Sequence, residues 1–251
     1  MIWRLPRNES VIYPNSYCPS CKRKILWKDK IPLLSWIYLR GKCRNCLQKI
    51  SFIYPSLELF TGLAFVFSSF GNVQIYEMLQ HNYSIFLSWF LLTISIPLFT
   101  IDLKYYWLPK SIILLGTFAG LIFTGSYSIF FENYLFFRHI IAGILGFSIF
   151  YLINIFGKIT LKKNGIGFGD MKLMFMFGIW LGIKGLLISI YLSFLFSGLI
   201  CLILIFFKKL KKGQIIPFGP FLITSSLSIW FLGDQFFLEI YDKLIKSLLF
   251  I

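Results

Sequence analysis

The side chains of this chain best placed to do chemistry are a few acids and four cysteines. Asp170 lies in "NGIGFGDMKLMFMFGIW", residues 164–180, at the mouth of a long apolar run. A carboxylate beside lipid costs roughly 2.5–3.5 kcal/mol at a helix centre and less near an interface, so its placement needs a reason. Asp102 follows another apolar run, in "TIDLKYYWLP", 68 residues earlier. If the fold brings the two together, they cannot both ionise easily, and one proton is held between them. One carboxylate can then draw a proton from water while its partner protonates a scissile carbonyl, which is aspartic-protease chemistry. The pair titrates jointly, so spacing does not divide the roles. Gly167 and Gly169, with no side chains, would let an extended substrate backbone approach Asp170. Spacing alone is equally compatible with an Asp170 favoured by the helix macrodipole and an interfacial Asp102. Glu58, at the entry to an earlier apolar run, suits an interfacial structural role or a polar contact to a substrate.

The cysteines form the second constellation. "YCPSCKRK" and "GKCRNCLQK" supply Cys18-x2-Cys21 and Cys43-x2-Cys46, with 21 residues between the pairs. Each C-x2-C turn aims two thiolates at one ion, and two such turns complete a tetrahedron. Flanking Lys and Arg residues help stabilise the net charge of a Zn(Cys)4 centre. A closed four-thiolate site leaves no position open for chemistry, so zinc here is a staple. A head of about 55 residues has too little core to hold itself together, and a metal supplies what is missing. Cys201, alone in "GLICLILIFF", reads as a small buried hydrophobe.

The elements that must position these groups are membrane helices. Of 251 residues 57% are apolar and 14% charged, against roughly 25% charged in a soluble domain. The chain divides into a polar head, residues 1–55, and a membrane body, residues 56–251. Candidate spans are 56–71, 85–101, 111–127, 134–157, 170–182, 186–207 and 219–233, followed by an interfacial amphipathic tail. No internal repeat is visible. The fold class is thus all-α and polytopic, with about seven transmembrane helices and a small N-terminal cytoplasmic zinc-binding domain.

The net charge of +15 would suggest nucleic acid on a soluble protein, but its distribution excludes that here. Eleven of the 25 Lys and Arg residues precede the first span, and four more sit in Lys208-Lys209-Leu210-Lys211-Lys212. With the head inside, 21 basic residues fall in inner loops and span ends. Only Arg138, Lys184, Lys243 and Lys246 fall outside. Such clusters suit the cytoplasmic face and anionic phospholipid. Asp102 and Asp170 both land on that face, although neither entered the count. Lys172 sits roughly 200° around a helix from Asp170, so the two do not pair; it reads as a snorkelling lysine. His139 reads as a satisfied buried histidine.

At these residues the chain resembles the type IV prepilin peptidases. "RLPRNESVIYPNSYCPSC", "IPLLSWIYLRGKCRNC" and "ISFIYPSLELFTG" are similar to the family's N-terminal signature and its continuation. "DLKYYWLP" and "GFGDMKL" match its two aspartate motifs, and "IPFGPFL" resembles a block near the end. The resemblance implies that Asp102 and Asp170 are catalytic. It implies cleavage of a basic leader from prepilins or pseudopilins of a type IV pilus or type II secretion system, at the cytoplasmic face of the inner membrane. It further implies N-methylation of the new N-terminus with S-adenosylmethionine. Glu9 and Arg40 are polar candidates for that second activity, Gly167, Gly169, Glu58 and Lys172 for support of the first. Two departures stand out. Members usually carry eight helices, with an apolar span just before "RLPR", where this chain has Met1 three residues ahead of Arg4. Asn8 stands where glycine is usual, which weighs against methyl transfer more than against cleavage.

Two other readings compete. Another G-x-G-D intramembrane peptidase, presenilin-like, would lack the cysteine head and usually has a tyrosine before its first aspartate, where this chain has Ile101. An ion-coupled transporter would place its acids at mid-membrane and often show repeat symmetry.

Overall fold

The structure is a computed structural model that describes residues 4–7, 9, 10, 13, 15–70, 81–130, 134–161, 166–209 and 216–249. Asn8, Lys162, Lys163, Lys211 and Lys212 lie outside the described residues. The chain forms two compact units, Met1–Phe70 and Gly71–Ile251.

The first unit holds single helical turns at Leu5–Arg7 and Trp27–Lys30, the short helix α1 (Leu34–Tyr38) and the long helix α2 (Ile53–Phe70). Although the sequence shows no internal repeat, the backbone does. Antiparallel bridges Tyr17–Lys24 and Lys42–Lys49 close two hairpins related by a shift of 25 residues. In each, the first cysteine's N–H donates across the hairpin, Cys18 to Arg23 O and Cys43 to Gln48 O. The residue after the second cysteine adopts a positive φ, 59° at Lys22 and 58° at Leu47. Sequence comparison misses this repeat because backbone bonds and turn geometry define it, and only the cysteines, the closing lysines and the isoleucine after each (Ile25, Ile50) recur.

The second unit contains α3 (His81–Tyr105), α4 (Lys110–Phe130), α5 (Leu135–Leu161), α6 (Phe168–Phe206) and α7 (Gly219–Leu249). With α2, six helices are long and apolar enough to cross a membrane, and the protein is a multi-pass membrane protein. The seven expected spans fit on six helices because α6 carries two of them. At 39 residues a straight α6 would run about 58 Å, nearly twice a hydrocarbon core of about 30 Å. Instead Gly182 breaks it with φ 71° and ψ −178°, a conformation open only to glycine at low cost. Asp170 and Phe194, each twelve residues from Gly182, line the same cavity, so α6 is a hairpin whose arms return to one end. His139 sets its imidazole edge under this reversal, and its Nδ1 lies 2.6 Å from Ile179 O, as expected for a satisfied buried histidine. Gly233 interrupts α7 in the same manner, with φ 80° and ψ 160°, and the tail continues as helix beyond it.

The core lies between α5, α6 and α7. Small residues bring α5 and α6 nearly into backbone contact: a Cβ at Gly178 would lie 2.6 Å from Ala142 O, and one at Gly146 would lie 2.7 Å from Met174 O. Trp180 anchors the centre, stacked on Phe90 and Phe123 and edge-on to Trp230. Both indole N–H groups are paired, Trp180 to Gly116 O and Trp230 to Ser88 Oγ, so burying them leaves no donor unmet.

Candidate active site

Asp102 is set by the end of α3. Pro97, five residues earlier, removes one ladder bond, and Thr100 Oγ1 bonds the carbonyls of Ile96 and Pro97 in this stretch. Tyr106 then turns to φ 54°, and its N–H donates to Asp102 O at 2.9 Å, which closes the helix. The following turn drives Leu108 against the start of α6. A Cβ at Gly169 would lie 3.1 Å from Leu108 Cβ, so this glycine makes room for the α3–α4 turn. That corrects the expectation that Gly169 opens the backbone to substrate: its missing side chain is filled from within the protein. Gly167 does line the cavity.

Asp170 is set by the start of α6. Gly167 is the N-cap, with extended φ −70° and ψ 146°, which makes Asp170 the third helical residue. Its carboxylate accepts the Gly167 N–H, and its own N–H donates to Gly167 O at 3.1 Å. An acid at this position reaching back to the N-cap amide is the acidic half of a capping box. Asp102 is capped from a different helix: its buried carboxylate accepts the N–H of Gly219, the first residue of α7. This amide is one of the donors a helix start leaves unmet.

The two carboxylates meet at that point. A Cβ added to Gly219 would collide with Asp102 Oδ2 and lie 3.5 Å from Asp170 Oδ1. Both acids open into one cavity of about 370 Å³, within the range of small ligand sites. Its remaining walls are aromatic and aliphatic, with Tyr106, Phe194 and Phe218 prominent. Phe194 and Phe218 lie 5.1 Å apart, and both approach Phe150 of α5. Residue spacing missed Gly219 and this aromatic wall. The only signal for Gly219 was the "PFGP" block, where a glycine beside proline marks a helix start too tight for a side chain. Nothing in spacing pairs Phe194 with Asp170 until Gly182 is known to reverse the chain.

Lys172 turns away from the acids and lies over the Phe168 ring at 4.7 Å. In the first unit, Glu58 Oε2 accepts the Leu33 N–H at 2.9 Å, and the Tyr17 hydroxyl donates to Glu9 Oε2 at 2.7 Å. Both acids are thus in structural use. Arg40 is exposed in the turn that ends α1, with φ 49°.

The four cysteines converge. Their sulfurs all lie within 4.8 Å of one another, with Cys18 Sγ 3.9 Å from Cys46 Sγ. A tetrahedron with Zn–S bonds of about 2.3 Å needs sulfurs about 3.8 Å apart, so the residues fit zinc. The N–H of Cys21 leads in drawing the Cys18 thiol down to about 6, aided by the Ser20 N–H and neighbouring thiols against the effect of burial. At Cys46 the Gln48 N–H acts downward, but burial and the other three thiols push the group up to about 11.

Two family models match the chain: the bacterial peptidase A24 N-terminal domain over residues 1–72 and the type IV leader peptidase family over residues 85–206. A prepilin leader peptidase/N-methyltransferase of Stutzerimonas stutzeri is 33% identical over 90% of this chain and 74% of its own length. A type 4 prepilin-like proteins leader peptide-processing enzyme of Escherichia coli O78:H11 is 33% identical, with 90% and 79% covered. A prepilin leader peptidase/N-methyltransferase of Bacillus subtilis is 29% identical, with 92% and 87% covered. No solved structure matches. With both family models matched in order and relatives aligned along nine-tenths of its length, the chain belongs to the type IV leader peptidase family.

Proposed function

We propose that this protein is a membrane aspartic endopeptidase that removes the basic leader from type IV prepilins or pseudopilins. The observation that supports it most is the junction at Gly219, where two carboxylates from distant helices open into one cavity. In this reading residues 56–251 are the peptidase and residues 1–55 a metal-held module. Asp102 and Asp170 are the catalytic residues. A water between them loses a proton to one carboxylate as it attacks the scissile carbonyl. The partner gives its proton to the carbonyl oxygen. The first carboxylate then protonates the departing amine while a hydroxyl of the tetrahedral intermediate returns a proton to the partner, so the pair ends the cycle with one proton again. Gly219 and Gly167 hold the two side chains through their N–H groups. Phe194 and Phe218 form an apolar wall against which the substrate's apolar helix lies beside the acids.

The cavity end of the second unit carries Lys104, Lys110, Lys158, Lys172, Lys208 and Lys209, while Arg138 and Lys184 lie at the far end. On the positive-inside rule that end is cytoplasmic, in the inner membrane, with the leader at its surface. So basic an enzyme has no long-range attraction for a basic leader. Binding therefore rests on Asp102 and Asp170 and on shared anionic phospholipid.

Cys18, Cys21, Cys43 and Cys46 would hold zinc, which would supply folding energy to the head and take no part in cleavage. The relatives' names carry an N-methyltransferase activity, and S-adenosylmethionine as its methyl donor is implied by the family resemblance alone. The described residues of the first unit offer it no uncommitted acid. Glu9 is bonded by Tyr17, Asp29 by Arg44 and Glu58 by the Leu33 amide. No residue is therefore assigned to that cofactor.

Mass spectrometry of a co-expressed type IV prepilin tests the reading directly. The wild-type protein should shorten it by its leader, and an added methyl group would show in the same spectrum. Asp102→Asn and Asp170→Asn should each reduce cleavage by about 10²–10⁴-fold, the usual weight of a positioned proton donor or acceptor. Unimpaired processing by either variant removes the mechanism.

A further inference from the structure

The short helix α1 is turned inside out. Trp36 points inward, edge-on to Phe52 at 5.6 Å, with its ring against Gly41. Leu34, Ile37 and Tyr38, spaced so as to share one face, stand 65%, 65% and 76% exposed. The turn packed beside α1 adds Trp27, 80% exposed, and Ile31 follows it, 41% exposed. An apolar patch of this kind on a polar head marks a surface that is covered by something.

Depth and charge indicate what covers it. The Leu33 N–H on Glu58 Oε2 ties the start of α1 to a point five residues into α2, about 7.5 Å along the helix axis from Ile53. The polar zone of a bilayer adds about 5–8 Å on each side of the hydrocarbon. The outward face of α1 is thus level with the first two turns of α2, the end at which that span enters the membrane. Around it Lys28, Lys30, Arg40 and Lys42 are exposed, and residues 1–56 hold eleven basic residues against two acidic ones. Tryptophan, tyrosine and leucine on one face with lysines at its edge suit the boundary of an anionic membrane.

We infer that Trp27, Ile31, Leu34, Ile37 and Tyr38 form a lipid-docking face that seats the cysteine head on an anionic membrane surface. The indole and aliphatic groups lie below the phosphates, and the lysines and arginine contact them. The hairpins that carry the thiolates are then held at a fixed height beside α2 instead of hanging from it. This rests on the lipid partnership proposed above and not on the cleavage chemistry.

The full chain in vesicles of phosphatidylglycerol and phosphatidylcholine provides the test. The emission lost on Trp27→Phe isolates Trp27 from the other tryptophans. That component should be quenched by lipids brominated near the headgroup and shielded from aqueous acrylamide. In vesicles of phosphatidylcholine alone the lipid quenching should fall roughly twofold. A variant with Leu34→Ser, Ile37→Ser and Tyr38→Ser should transfer the component from lipid to acrylamide quenching. Acrylamide-accessible Trp27 in the mixed vesicles overturns the inference. So does a Trp27 closed to both quenchers, which means that protein covers the face. Cleavage of prepilin by the same vesicles is scored separately, so loss of the peptidase reading cannot be mistaken for loss of this one.

Discussion

The two units hold their reactive groups by opposite means. In the first, the only buried described residues are Cys18, Gly41, Pro55 and Ser68, and one of these is a metal-type ligand. In the second, Trp180, Trp230, Phe150, Phe177 and many aliphatic side chains are wholly buried, and α5 and α6 approach closely enough that a methyl group has no room. With zinc on its four cysteines, as proposed, the head would rely on bonds that a chelator can remove. The membrane unit relies on close-packed helices that cannot be loosened locally. Four thiols can be gathered by two short hairpins. Two carboxylates 68 residues apart can be gathered only by a packed bundle.

The contrast can be broken most severely at the α5–α6 contact. Gly178→Ala places a Cβ 2.6 Å from a backbone oxygen that cannot rotate away, and overpacking of this kind costs about 1–3 kcal/mol or more. Gly62→Ala, with nothing within 4 Å of the new Cβ, should be neutral or stabilising by about 0.5–1 kcal/mol. Thermal unfolding in detergent, followed by the burial of Trp180, separates the two. Equal effects from both variants would mean that the close approach is not what holds the bundle.

A finer break lies at Gly219. Its Cβ would meet the acids but not the core, so Gly219→Ala should leave the melting temperature near that of the wild type and lower cleavage by roughly 10–100-fold. That is within the weight of misplacing a catalytic group by about an ångström. The loss should fall first on kcat, since the added methyl displaces the proton-transferring carboxylates, and to a smaller extent on KM, since the same carboxylates meet the basic leader. A wild-type kcat in Gly219→Ala would show that the acids do not need this approach.

How far the sequence made these features legible follows the same division. The cysteine pairs were plain because C-x2-C is a local code, satisfied by one turn each. The helical, polytopic class was equally plain, since hydropathy over some twenty residues needs no tertiary information. The hairpin in α6 was visible as two candidate spans around Gly182. Nothing in the sequence showed that a single residue would make the reversal, with helix running up to it on either side. Gly169 was misjudged because a missing side chain next to an acid suggests an opening. Only Leu108, brought in by the α3–α4 turn, shows that the space is filled. The outward face of α1 was hidden for a related reason. In "IPLLSWIYLR" every apolar residue looks like core until Trp36 is seen to take the inner position alone.

Removing the metal sharpens the comparison from the other side. Chelation should loosen the first unit, read as faster proteolysis near Cys18 and Cys43. Cleavage of prepilin should fall by about tenfold at most, because both carboxylates belong to the second unit and a structural zinc supplies folding energy rather than chemistry. A loss as large as that of Asp102→Asn would make the head part of the peptidase.

The smallest effect is a single proton. The Cys18 thiol, drawn down to about 6 chiefly by the Cys21 N–H, is already ionised in the metal-free head at pH 8. Cys46, pushed up to about 11, is not. Zinc needs thiolates, so binding at pH 8 should release the Cys46 proton but none from Cys18, and at pH 5 it should release one from each. The sign for stability follows. A thiol whose folded value is depressed stabilises the metal-free head fully above its ordinary value of 9.0, and that contribution is lost as pH falls through about 6. Calorimetry of zinc binding to the full chain in buffers of different ionisation enthalpy counts the protons. An unchanged count between pH 8 and pH 5 would mean that the Cys18 hairpin does not hold its sulfur as a thiolate before the metal arrives.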